Sequence, residues 1–180
     1  MVEADKKQKL SNSRLLEREH ARDQQKKKLW NLRVVLIKKA NIYVKNNLYS
    51  EAVANYERYL RILELICECG PNELTPELLK ENGRTTELTI LVGVYWDLVR
   101  IYDTNDTYHD RQKKAAEKLA RFAPYTPLFV DVIKKAKIFQ KTSRHPGLIK
   151  SMISKATSVK SRCFIATAAF ESSDAPEVLW

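Results

Sequence analysis

The stretch from Arg33 to Ile66, RVVLIKKANIYVKNNLYSEAVANYERYLRILELI, decides the fold class. Val35, Leu36, Ala40, Tyr43 and Val44 recur at three- and four-residue spacings, which places one apolar stripe along a helix. Asn46-Asn47 breaks the stripe. Ser50-Glu51 then opens a second helix carrying Ala52, Val53, Tyr56, Leu60, Ile62, Leu63 and Ile66, which ends before Gly70-Pro71. Two such helices joined by a few residues predict an antiparallel helical hairpin.

The same pattern extends on both sides. Upstream, residues 5–30 are dense in charge, and acids lie at helical spacings from several bases, so an exposed helix is expected. Downstream, Thr75-Pro76-Glu77 combines an N-cap residue, a first-turn proline and an acid, the signature of a helix start. Gly83 can end that short helix. Thr86-Glu87 opens the most apolar stretch, running through Leu91, Val94, Tyr95, Leu98 and Tyr102. Asp103 to Asp106 reads as a turn, with Asp106 or Thr107 capping a helix to Phe122. Thr126-Pro127 predicts a helix to about Lys141, and His145-Pro146 a last one to about Val159. Strand-like alternation is missing before residue 160, so the expected class is all-α.

The whole chain has 180 residues, with 32 Lys and Arg against 22 Asp and Glu, a formal charge of +10. Apolar content of 44% excludes disorder throughout, and only four Gly leave little material for phosphate-cradling loops. The N-terminus lacks the apolar run of a secretory signal, and no run is long enough to span a membrane. A cytoplasmic protein is expected. Cys67, Cys69 and Cys163 are an odd number of thiols, expected to be reduced. With His20, His109 and His145 scattered singly, a four-ligand metal site is not expected, nor is any cofactor.

Residues 33–66 resemble one tetratricopeptide unit, with Ala40 and Ala52 at its small positions and Tyr43 and Tyr56 at its aromatic ones. A weaker second unit is formed by Tyr95, Leu98 and Tyr102 with Ala115, Ala116 and Ala120. A generic helical bundle using the same core residues is the alternative. The resemblance implies peptide binding along first helices, and Arg33, Lys38, Asn41 and Lys45 line one side of this one. Asn41 falls on a position where one subset of the family clamps a carboxylate, but Ile37 stands where that clamp has Lys.

Cys163 to Phe170, CFIATAAF, followed by Ala175-Pro176-Glu177-Val178, resembles the bacterial C-terminal CFI box. The resemblance implies bacterial origin rather than an activity. Cys163, Phe164, Ile165 and Phe170 would be exposed unless this tail docks on the helices or on a partner, where it would act as a partner-binding or assembly peptide. A short strand or other non-helical form suits its small and β-branched residues. The expected organisation is a charged extension over 1–30, a tetratricopeptide-like domain over 31–160 and a tail over 161–180.

Charge is not spread evenly. Lys134, Lys135, Lys137, Lys141, Arg144, Lys150, Lys155, Lys160 and Arg162 face only Asp131 between residues 131 and 162, and the tail beyond them carries three acids and no base. Three function classes follow. The first is a non-catalytic interaction module for a peptide or acidic protein. The second is nucleic-acid binding through 131–162, although Phe139 is its only aromatic available for stacking. An anionic membrane surface would suit the same charge. The third is thiol chemistry at Cys163, whose neighbours Lys160 and Arg162 favour thiolate but which has no visible base.

Overall fold

The computed structural model describes the backbone from Val2 to Ser173 and the side chains from 16 to 161. The chain is all-helical, and no strand occurs among the described residues. It divides between Leu74 and Thr75 into two compact units.

The first unit is a helical hairpin of α1 (Val2–Lys45) and α2 (Tyr49–Ile66). The charged segment and the helix carrying the stripe from Val35 to Val44 are one uninterrupted α1. Ala40 and Ala52 are fully buried, as are Tyr56 and Tyr59, and the small residues let the backbones approach. The Tyr56 hydroxyl donates to Asn41 Oδ1 at 3.0 Å, and Arg22 and Lys26 reach Glu68, so the two helices run antiparallel. Val35, expected in the stripe, is 46% exposed. The seam follows Leu36 and Ala40, and one residue earlier points about 100° away. Asn47, at φ 60°, ends α1 in a left-handed turn closed by Leu48 N–H to the Tyr43 carbonyl at 2.9 Å.

The second unit contains α3 (Pro76–Glu81), α4 (Thr85–Tyr102), α5 (His109–Phe122), α6 (Phe129–Phe139) and α7 (Pro146–Ser173). Short 3₁₀ turns at Asp106–Tyr108 and Ala123–Tyr125 precede α5 and α6. The expected start at Thr75 holds: its hydroxyl accepts from Leu78 N–H at 3.1 Å. Thr75→Ala should therefore cost about 1 kcal/mol, read as a lowered urea midpoint. Gly83, at φ +65°, ends α3, with Arg84 N–H on the Leu79 carbonyl.

α4 pairs with α5 and α7 packs on α5; Tyr95, Leu98 and Tyr102 of α4 and Ala115, Ala116 and Ala120 of α5 are all buried. Phe122 is fully buried with its ring centroid 5.7 Å from that of Tyr95. Three expectations need correction. Thr126 does not cap a helix: its hydroxyl donates back to the Ala123 carbonyl, the 3₁₀ turn occupies the segment, and α6 begins at Phe129. Neither Asp106 nor Thr107 caps α5. Asn105 instead caps the 3₁₀ turn, accepting from Thr107 N–H at 3.0 Å. The last helix does not end near Val159, and the strand or non-helical form is not adopted up to Ser173. No Gly or Pro interrupts the chain between Gly147 and Pro176, and Ala166, Ala168 and Ala169 favour helix.

Candidate interaction surface

The inner face of α6 is fixed by packing. Val132 and Ala136 are buried, and Phe139 meets Trp96 of α4 edge-on with centroids 5.8 Å apart. The opposite face is thereby turned to solvent. At i, i+4 and i+8 it carries Val130, Lys134 and Ile138, and beside them Lys137 and, in the turn after the helix, Lys141. Val130 is 57% exposed and Ile138 69%, the latter more than any other large hydrophobic side chain among the described residues. Lys134, Lys137 and Lys141 are exposed and make no ion pair among the described residues. Lysines near the end of a helix also complement its dipole, but that effect asks nothing of Val130 or Ile138.

The nine-residue basic cluster is thus sorted by the fold. Lys135 lies on the other flank of α6, four residues from Asp131 and so on the same side as that acid. Arg144 pairs with Asp106 at 3.5 Å and Lys155 with Glu117 at 3.8 Å. Lys160 donates to the Pro124 carbonyl at 3.1 Å, tying α7 to the turn that precedes α6. Lys150 is exposed on α7. The side chains of Arg162, Cys163, Phe164, Ile165 and Phe170 lie outside those described, as do residues 174–180. Three lysines and two aliphatic residues remain as a continuous stripe.

An open groove of about 560 Å³ separates α5 from α7, lined by Glu117, Ala120, Arg121, Ser154, Lys155, Ser158 and Val159. Its charges are already answered, Lys155 by Glu117 and Arg121 by Glu77 at 3.6 Å. Burial would raise the Glu77 carboxyl, but its own N–H, the Thr75 hydroxyl, Arg121 and Tyr125 outweigh that and hold it below the usual range.

No family model, curated protein or solved structure matches the chain.

In the first unit, Arg33 lies 3.4 Å above the Trp30 ring and donates to the Trp30 carbonyl at 2.7 Å. Asn41 holds Tyr56. Lys38 and Lys45 are exposed, so two of the four residues expected to line a peptide site are engaged in the hairpin itself. Glu68 sits at φ 55°, a left-handed position that favours glycine, and its side chain receives Lys26 and Arg22. The hydrogen bond from Lys26 and the charges of Arg22 and Lys26 hold its carboxyl below the usual range.

Sequence reasoning missed one polar assembly. Asp103, at the end of α4, accepts from Gln112 Nε2 at 2.7 Å and the Ser143 hydroxyl at 2.8 Å on one oxygen, and from Arg144 N–H at 3.0 Å on the other. His109 and His145 stack edge-on with centroids 4.1 Å apart, and His145 Nε2 lies 3.7 Å from Asp106. Burial pushes the Asp103 carboxyl up, but the hydrogen bonds from Arg144, Gln112 and Ser143 and the charge of His145 more than reverse this. The Ser143 proton points to Asp103, so this serine is oriented as a tie between segments rather than toward a base. Cys67 is buried at the end of α2. Among the described residues, no three His, Cys, Asp or Glu side chains are grouped to hold a metal, and no helix is long and apolar enough to cross a membrane.

Proposed function

We propose that the protein is a non-catalytic interaction module and that the outer stripe of α6 binds an acidic, partly apolar protein segment. The observation that carries this reading is the exposure of Val130 and Ile138 among three exposed lysines that have no ion pair among the described residues. Phosphate backbones reward the lysines alone, whereas a protein segment can also bury the two aliphatic side chains. A membrane would reward a broad apolar face, but the broad apolar face of α6 is turned inward. The helical hairpins resembling tetratricopeptide units are consistent with a scaffold that displays such a surface.

The test compares a labelled peptide rich in Glu and Leu with duplex DNA. Ile138→Ser should weaken peptide binding about tenfold, as should Lys134→Glu. Ile138 is exposed, so the variant keeps its fold. DNA binding that exceeds peptide binding and ignores Ile138→Ser would overturn this reading in favour of nucleic-acid binding.

A further inference from the structure

Resting on that reading, we infer that the acidic segment bound by the α6 stripe is residues 174–180 of a second copy of this chain. The segment reads DAPEVLW, with carboxylates at Asp174 and Glu177 and apolar side chains at Val178, Leu179 and Trp180. The stripe presents the complement, Lys134, Lys137 and Lys141 interleaved with Val130 and Ile138. Dimensions agree as well. Seven residues in extended form cover about 20 Å, and the stripe from Val130 to Lys141 is about 16 Å long. Glu171 adds a third acid next to the segment.

Reach decides between the chain's own segment and a second copy's. Lys160 of α7 touches the Pro124 carbonyl and lies 5.9 Å from the Phe129 ring, so it marks the level at which α6 begins. α6 runs from there toward the start of α7, to which a short loop joins it. α7 continues from Lys160 to Ser173 in the opposite direction, about 20 Å further. Seven residues doubling back from Ser173 span at most about 24 Å. They regain the level of Phe129 but cannot run on to Ile138 and Lys141. A second molecule has no such restriction. The contact joins two different surfaces, so reciprocal exchange closes a dimer and one-way exchange builds a chain.

The test is sedimentation equilibrium of the full chain over a range of concentration and salt. Self-association is expected, weakening as salt rises. Asp174→Lys with Glu177→Lys should weaken it at least about tenfold, and Lys134→Glu with Lys141→Glu likewise. Combining all four substitutions should restore it. Ile138→Ser and Leu179→Ser provide a second pair that leaves charge unchanged, and each should weaken association.

Self-association that ignores these changes, or a four-fold variant that stays monomeric, overturns the inference. If the wild type is monomeric but the Glu/Leu peptide still binds the stripe, the inference fails and the proposed function stands. A monomer whose affinity for that peptide rises on Asp174→Lys with Glu177→Lys places the segment on its own chain, which also overturns it. If the peptide does not bind either, both fail.

Discussion

Replacing Asp103 by Ala lowers stability by about 2–3 kcal/mol, because it removes an acceptor shared by three donors, of which the Gln112 amide alone has a second acceptor among the described residues, the Val99 carbonyl at 3.2 Å. Three donors converge on this carboxylate: the Gln112 amide, the Ser143 hydroxyl and the Arg144 N–H. Asn at 103 does not repair the loss. Both carboxylate oxygens accept, so an amide must aim its own NH₂ at one of the donors. The pH dependence has a definite sign. The carboxyl titrates lower in the folded chain than its ordinary value of about 4, so the stabilisation is complete above that value. It is lost as pH falls through the depressed folded value. Urea midpoints should show a constant gap between wild type and Asp103→Asn near neutrality, closing below about pH 4. A gap that instead widens on acidification would contradict this account.

Phe122→Ala has the second large effect, about 3–5 kcal/mol. The ring is fully buried at the end of α5 and packs against Tyr95 of the most apolar helix. Truncation leaves a void lined by groups whose positions are fixed by other contacts. Phe122→Leu keeps much of the volume and should cost less than half as much. Thermal or urea unfolding of the two variants side by side measures the difference.

The fold was legible where local chemistry was sufficient to determine it. The Leu36–Ala40 stripe, the break at Asn46-Asn47, Gly70-Pro71 and the Thr75 cap each act within a few residues. The hairpin and the start of α3 therefore followed from sequence. Thr126-Pro127 carries the same cap signature as Thr75-Pro76 and is used differently, because the 3₁₀ turn at Ala123–Tyr125 takes the Thr126 hydroxyl. Nothing local distinguishes the two sites. The acids around residue 103 were expected to serve turns and caps. Two of the three partners of Asp103, Ser143 and Arg144, lie 40 and 41 residues away, beyond any periodicity argument.

The candidate surface was half legible. The charge excess over 131–162 is visible in the sequence, but not which lysines the fold spends internally. Lys160 and Lys155 look the same as Lys134 in sequence, and only packing shows that they bind Pro124 and Glu117. Val130 and Ile138 do not stand out in a cluster defined by charge alone. Their i, i+8 spacing on the same face as Lys134 was the available signal.

The pairing of chain neighbours, α1 with α2 and α4 with α5, also bears on how quickly the protein reaches its native state. Contacts between segments adjacent in sequence close short loops, and such topologies cross their folding barrier fast. The first hairpin pairs two helices that both lie before Leu74 and can form while the rest of the chain is still being synthesised. In the second unit the join of Asp103 to Ser143 and Arg144 must wait until α6 has been made. Disturbing that join should therefore speed unfolding while leaving early helix pairing almost unchanged.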